Sequence, residues 1–296
     1  MKEESKATRK RVFEKVMEII FLLCACMSIL AVALICFFLF TKGIPGMAKI
    51  GIFKFLGGQV WKPGNDIYGI LPMILGSVYV TGLALVIGVP IGLLTAIFLA
   101  RFCPKKLYKV VKPAVDLLAG IPSVVYGFFG MVVIVPVVRA LTDALGARGN
   151  GVSLLTAAIL LGIMILPTII ETSEAAIQAV PDKYYEGALA LGATHERSVY
   201  RTVVPAAKSG ILAGVILGVG RAIGETMAVI MIAGNQARMP AGLLKGVRTL
   251  TANIVIEMGY AADLHREALI ATGVVLFVFI LIINLLFSLL KRKKVD

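Results

Sequence analysis

Val180-Pro181-Asp182-Lys183-Tyr184-Tyr185-Glu186-Gly187-Ala188-Leu189-Ala190-Leu191-Gly192-Ala193-Thr194, continuing His195-Glu196-Arg197-Ser198-Val199-Tyr200-Arg201-Thr202-Val203-Val204-Pro205, is a polar interval in an otherwise apolar chain. Pro181 and Asp182 suit a helix start, where a missing N–H costs nothing and a carboxylate meets unpaired amides. Gly192 suits the left-handed stop of that helix. Thr194 suits the cap of a second short helix, and Pro205 keeps it from running straight into the next apolar run. Gly187, Ala188 and Ala190 leave a helix surface that another backbone can approach closely. The interval reads as a helix-turn-helix knob shaped to enter a partner's groove. An amphipathic loop lying on a membrane surface is the plainer alternative.

Apolar runs flank this knob at about 152–170 and 207–234, and others lie at about 16–40, 70–100, 114–138 and 267–290. Each meets or nearly meets the roughly 20 residues needed to cross a hydrocarbon core. The run from Ile70 to Ala100 exceeds one span but falls short of two, so Pro90 is expected to kink one long tilted helix. Hydrophobic residues make up 59% of the 296, charged residues only 16%, and mean hydropathy is +0.93. A soluble core needs a polar shell that this composition cannot build. The expectation is an all-α integral membrane protein of six transmembrane helices, and soluble-enzyme readings fall away.

The formal net charge of +13 would suggest nucleic acid on a soluble protein. Here apolar stretches separate the charges, so they read as loop charge that sets orientation. With six spans, nineteen Lys and Arg fall on the side of the termini and the knob, and ten on the other; Arg221 lies inside a span. The positive-inside rule then places basic tails 1–15 and 291–296 in the cytoplasm and 41–69 outside. That outside segment, with Gly43, Pro45, Gly46, Gly57, Gly58, Pro63 and Gly64, reads as turns. The first apolar run is too long for a signal-peptide core and reads as a retained helix. Cys24, Cys26, Cys36 and Cys103 form no disulfide framework, and His195 and His265 lack neighbouring ligands, so neither disulfide nor metal is expected.

Glu186, Ala188, Gly192 and Pro205 fall where the permeases of ABC importers carry a Glu-Ala-Ala, a following Gly and a closing Pro. Gly187 and Thr202 depart from that pattern. The chain resembles this family over roughly 70–290. The resemblance implies a type I ABC-importer permease fold, with Tyr185, Glu186, Gly187, Ala188, Leu191, Gly192 and Pro205 forming a coupling loop that docks on a cytoplasmic ATPase. No Gly-x4-Gly-Lys-Ser/Thr phosphate loop is present, so ATP and Mg are expected on that separate partner and no cofactor on this chain. Gly218-Val219-Gly220 with Gly224 has the wrong spacing for a dinucleotide fingerprint.

Arg221 and Glu225 lie deep in the run from Ile211 to Ala233. A charge at that depth costs at least about 2.5–3.5 kcal/mol, so it is expected to have a partner and a purpose. Four apart on a helix, the two are expected to pair. Gly210, Gly214 and Gly218 share their stripe, which reads as a tight helix seam or as a cavity wall. On the first reading the pair locks packing; on the second, Arg221 meets an anion in a translocation path and Glu225 holds it in place. Glu257, Asp263 and Glu267 read as ordinary solvated charges, and 249–262 as a short interfacial helix.

Gly220-Arg221-Ala222-Ile223-Gly224-Glu225-Thr226-Met227-Ala228 and Gly120-Ile121-Pro122-Ser123-Val124-Val125-Tyr126-Gly127 are similar to segments of phosphate-specific permeases. Met227-Ala228 and Gly234-Asn235 look more like the PstC-type than the PstA-type family. This resemblance implies inorganic phosphate as cargo, with a path past Arg221, Glu225, Gly214, Gly218, Pro122 and Ser123. It also implies a PstA-like second permease subunit, a PstB-like ATPase dimer and a PstS-like phosphate-binding protein. A simple kink remains the alternative role for Pro122. Another oxyanion such as sulfate or molybdate, a secondary transporter or channel, and a sensor scaffold are the rival functions.

Overall fold

The computed structural model describes residues 2–146 and 149–292. Arg148 and the end of the basic tail at 293–296 lie outside the described residues. The helices are α1 Lys2–Ile50, α2 Ile52–Gly57, α3 Leu71–Ile97, α4 Lys105–Gly120, α5 Ser123–Phe129, α6 Val135–Ala144 and α7 Leu154–Gln178. They continue as α8 Asp182–Ala190, α9 His195–Ser198, α10 Val204–Ala206, α11 Lys208–Gly224, α12 Met227–Ile232, α13 Leu250–Met258 and α14 Asp263–Arg292. Single π-helical turns join α5 to α6 and α9 to α10, and another extends α3 through Phe102. A two-stranded antiparallel hairpin, β1 Trp61–Lys62 and β2 Ile67–Tyr68, pairs Trp61 with Tyr68.

Among the described residues five stretches are long and apolar enough to cross a membrane: Phe13–Ile50, Leu71–Phe102, Ser123–Ala144, Leu154–Gln178 and Asp263–Leu286. The bent pair His195–Ala206 and Lys208–Gly224, whose halves meet at 69°, is long and apolar enough when its two helices are taken together, which brings the count to as many as six. Pro205 lies in the first half, so the expected prevention of a straight run is present.

The core is built around α7. Its neighbours are α3 on one side and α11 on the other, and glycines set both separations. A Cβ at Gly88 would meet Ile165 at 2.8 Å and the Gly162 carbonyl at 2.9 Å; one at Gly92 would meet Ile169 at 2.9 Å. Across the other seam, a Cβ at Gly210 would collide with the Ala176 side chain. Small residues let backbones approach closely, which is how helices gain contact where lipid removes the hydrophobic drive between them. By contrast α1 packs mainly on α14, through Gly43 against Val274 and Ala271 and through Phe40 against Phe277.

Three expected boundaries are corrected. The segment 41–69 is not all turns, because α1 continues through Pro45 to Ile50; Gly43 and Gly46 dock it closely on α14, and Lys49 pairs with Glu267 at 2.7 Å. The run 114–138 is α4 and then, after a break at Ile121-Pro122, α5 and α6 to Ala144. The run 207–234 is two helices, because α11 ends at Gly224 and α12 begins at Met227.

Candidate functional site: a broken span and an exposed knob

Arg221 stands in the last turn of α11, half-buried, with its Nη1 3.4 Å from the Thr168 hydroxyl of α7. The helix then stops. Glu225 is extended (φ −68°, ψ 130°), and Thr226 also leaves helical geometry (φ −123°, ψ −56°). The expected Arg221–Glu225 ion pair is therefore absent: four residues apart bring two side chains together only on a continuous helix. Instead the Ala228 N–H donates to Glu225 Oε1 at 3.2 Å, so the carboxylate serves the exposed amides at the start of α12. The Thr251 hydroxyl donates to the Glu225 carbonyl at 3.1 Å, and the Thr226 hydroxyl to the Gly224 carbonyl at 3.1 Å. These bonds satisfy backbone acceptors that the break releases inside the membrane region.

A second break lies beside the first. Pro122 is exposed at the head of α5, and Ser123, half-buried, is its first residue. The Tyr126 hydroxyl donates back across the break to the Leu118 carbonyl at 2.8 Å. α5 lies directly on α12: a Cβ at Gly127 would come within 3.0 Å of the Ala228 backbone. The two interruptions thus share one level of the bundle, with Tyr126 within electrostatic reach of Arg221.

The glycine stripe resolves as a seam. A Cβ at Gly214 would stand 3.0 Å from Thr172, and one at Gly218 3.1 Å from Ile169. Both glycines are covered by α7, so they support Arg221 from behind and line no open face. Around Arg221, Gly220 and Gly224 have open space, and Leu217, Met227, Val124 and Val125 are exposed. What the arrangement can do follows from charge. Arg221 has no carboxylate within ion-pair distance among the described residues, and a guanidinium in apolar surroundings attracts an oxyanion through its fork of N–H donors.

The knob forms as expected. α8 starts after Pro181, Gly192 takes φ +85°, and Thr194 caps α9 by accepting from the Arg197 N–H. Glu186, Gly187 and Leu191 are exposed, Leu191 at 91%, and Ala188 is half-buried. Tyr185 points the other way. Its hydroxyl lies 2.7 Å from His195 Nδ1, and His195 packs edge-on to Phe102. Tyr185 therefore braces the knob from inside rather than presenting a surface. Arg101, at the foot of α3, donates to Asp182 at 3.1 Å and to the Ile177 and Val180 carbonyls, tying α3 to the root of α8. Glu196 is held below the usual carboxylate range, first by a backbone N–H and then by the Thr194 hydroxyl.

Several residues escaped the sequence reading. Glu257 is no solvated charge: it is 5% exposed and accepts from Trp61 Nε1 at 2.8 Å and Arg248 Nη1 at 2.5 Å, with His265 Nε2 at 2.8 Å. These partners come from β1, the segment before α13 and α14, at the end of the bundle opposite the knob. Trp61 is 196 residues from Glu257 in sequence, so no local pattern announces the contact. Thr168 was missed for the same reason. Asp263, in contrast, is exposed as expected.

Over residues 88–296 the sequence matches the family described as the binding-protein-dependent transport system inner membrane component. The chain belongs to this family. Among the curated relatives of this permease, a probable ABC transporter permease protein, YqgH, of Bacillus subtilis (strain 168) is 39% identical, over 92% of this chain and 89% of that one. The phosphate transport system permease proteins PstC of Mesorhizobium japonicum and Haemophilus influenzae are each 36% identical, over 83% and 81% of this chain and 80% and 81% of theirs. Among solved structures, the inward-facing MetNI methionine ABC transporter matches at a TM-score of 0.61 and 19% identity, over 79% of this chain and 99% of that one. A bacterial ABC transporter that imports alginate matches at 0.58 and 18% identity, over 75% and 79%. At such identities the likeness concerns fold alone. It is the type I ABC-importer permease fold expected from the sequence, in a multi-pass inner-membrane subunit.

Proposed function

We propose that this permease is the PstC-type subunit of an ATP-driven importer that carries inorganic phosphate across the cytoplasmic membrane. The observation that carries the reading is Arg221: a half-buried guanidinium at a helix break, with no carboxylate at ion-pair distance among the described residues. Its cost is offset when an oxyanion occupies its donors. The identities to phosphate permeases select phosphate from the oxyanions. Arg221, Glu225, Pro122 and Ser123 line the path in this reading. Gly214 and Gly218 hold α11 in register behind it.

The chain performs no covalent chemistry in this scheme. Positive-inside topology puts both termini and the knob in the cytoplasm. There Glu186, Gly187, Ala188, Leu191 and Gly192 enter a cleft on a PstB-like ATPase dimer, which binds ATP and Mg. A PstA-like subunit covers the open face around Gly220 and Gly224, and a PstS-like protein delivers phosphate from outside. Motion of the knob reaches the span through the 69° bend before α11 and through Arg101.

Radiolabelled phosphate uptake into vesicles holding the reconstituted complex tests this, with ATP supplied or withheld and excess sulfate or molybdate as competitor. ATP-dependent uptake that the competitors leave unchanged is the expected result. Uptake indifferent to ATP overturns the coupling, and suppression by one competitor replaces the cargo.

A further inference from the structure

We propose that the first turns of α4 bind the headgroups of anionic phospholipids at the membrane edge that carries the knob. Laid out at 100° per residue, α4 divides into three sectors. One faces the protein. Val115 is buried beside Leu99 and Ile170, the Tyr108 hydroxyl donates to Glu174 Oε1 at 2.8 Å, and Lys112 Nζ lies 3.3 Å from Glu174 Oε2. Glu174 belongs to α7 and is itself buried, so this clamp fixes the rotation of α4. The second sector is apolar and open: Leu107, Val110 and Leu117 are 42%, 67% and 72% exposed. The third holds Lys105, Lys106 and Lys109, all exposed, and none has an ion-pair partner among the described residues. Lys112 differs, being held by Asp116 as well as Glu174.

The depth of these sectors follows from the clamp. Tyr108 meets Glu174 in the last polar turns of α7, where Gln178 also donates to that carboxylate. Val115 meets Ile170, farther into the apolar run. The three lysines precede Tyr108 or adjoin it, so they stand where the hydrocarbon-compatible surface ends. Cations beside an exposed apolar strip are the arrangement of a helix at a leaflet boundary, with stems along the lipid and ammonium groups among phosphates. Unpaired positive charge selects anionic over zwitterionic lipid. An acidic protein partner would neutralise the lysines and leave Leu107, Val110 and Leu117 uncovered. The proposal depends on the membrane-spanning fold and not on which ion is carried.

The test uses the full-length chain, purified with the subunits it assembles with and placed in nanodiscs of phosphatidylcholine containing phosphatidylglycerol. Native mass spectrometry counts the phosphatidylglycerol retained. A triple variant, Lys105→Gln with Lys106→Gln and Lys109→Gln, is expected to reduce the preference for phosphatidylglycerol by about fivefold per lysine at low salt. The triple Lys→Arg variant is expected to keep it. Equal retention by the wild type and the Gln variant overturns the proposal. So does a Gln variant that keeps its lipid but sheds the ATPase subunit, which would assign the lysines to a protein partner. In the unaltered protein, retention that does not fall as salt rises overturns it independently of any variant.

Discussion

Arg221 occupies an apolar span at a cost of at least about 2.5 kcal/mol, and among the described residues its one hydrogen bond is the 3.4 Å contact to Thr168. A purely structural arginine would be expected to have found a carboxylate, and Glu225 was near enough in sequence to provide one. The break at Glu225 gives that carboxylate to the α12 amides instead. Replacing Arg221 by Gln is therefore expected to lower phosphate uptake by about 10- to 100-fold, the worth of one charged hydrogen bond to the anion. The thermal stability of the assembled subunit should stay unchanged or rise, since the span loses a charge. Uptake within twofold of wild type, together with lost stability, would leave Arg221 only a packing role. At the opposite end of the bundle from the knob, burial pushes the Tyr68 phenol up to about 12, and its hydrogen bond to Asp66 adds to the effect. The neutral phenol is the form the fold favours. Its contribution is fully present below about pH 10 and is lost as pH rises towards 12. Tyrosinate absorbance should show a late-ionising component in this window, accompanied by loosening of the hairpin; Asp66→Asn should bring the Tyr68 part of it to lower pH.

The hairpin β1–β2, the segment ending in α13, and the start of α14 are held as one unit by Glu257. Trp61, Arg248 and His265 all converge on its carboxylate, and Trp61, Tyr68 and Tyr260 pack around the His265 ring. Glu257→Leu would leave the half-buried Arg248 without its counter-charge. A loss of about 3–5 kcal/mol is expected, seen as a lowered unfolding temperature and earlier proteolysis near the hairpin; a wild-type profile would show that the carboxylate contributes little. α4 and α11 show which parts of elements a sequence reveals. The apolar runs, and the caps of α8 and α9 at Pro181, Gly192 and Thr194, are local, so the existence of the spans and the form of the knob were legible. The breaks at Ile121-Pro122 and Glu225-Thr226 were not equally so. Pro122 advertises its break, because proline opposes helix in the residue before it. Glu225 carries no such signal, and its break is stabilised by Thr251, 26 residues away.

For the whole molecule, the knob and the open face around Arg221 are two unpartnered surfaces joined by α11 and α7. Leu191 projects at 91% exposure beside Glu186 and Gly187, whereas Tyr185 and His195 root the knob from within. Glu186→Arg is expected to reduce co-purification of the ATPase and the uptake it drives, without changing the stability of the membrane subunit, because the side chain is exposed and makes no hydrogen bond or ion pair among the described residues. Wild-type co-purification with normal uptake would contradict the coupling role. Composition, periodicity and local cap residues were enough to determine a membrane protein of about six spans, a helix-turn-helix knob and a guanidinium inside an apolar run, because each depends on residues adjacent in sequence. The tertiary structure alone decided that Glu225 caps α12 instead of pairing with Arg221, that the glycine stripe is a seam on α7, and that Glu257 is the buried centre of a cluster. Those outcomes depend on where a helix breaks and on which distant groups arrive beside the break, a charge or a glycine, and in a low-dielectric interior such partners outweigh local spacing.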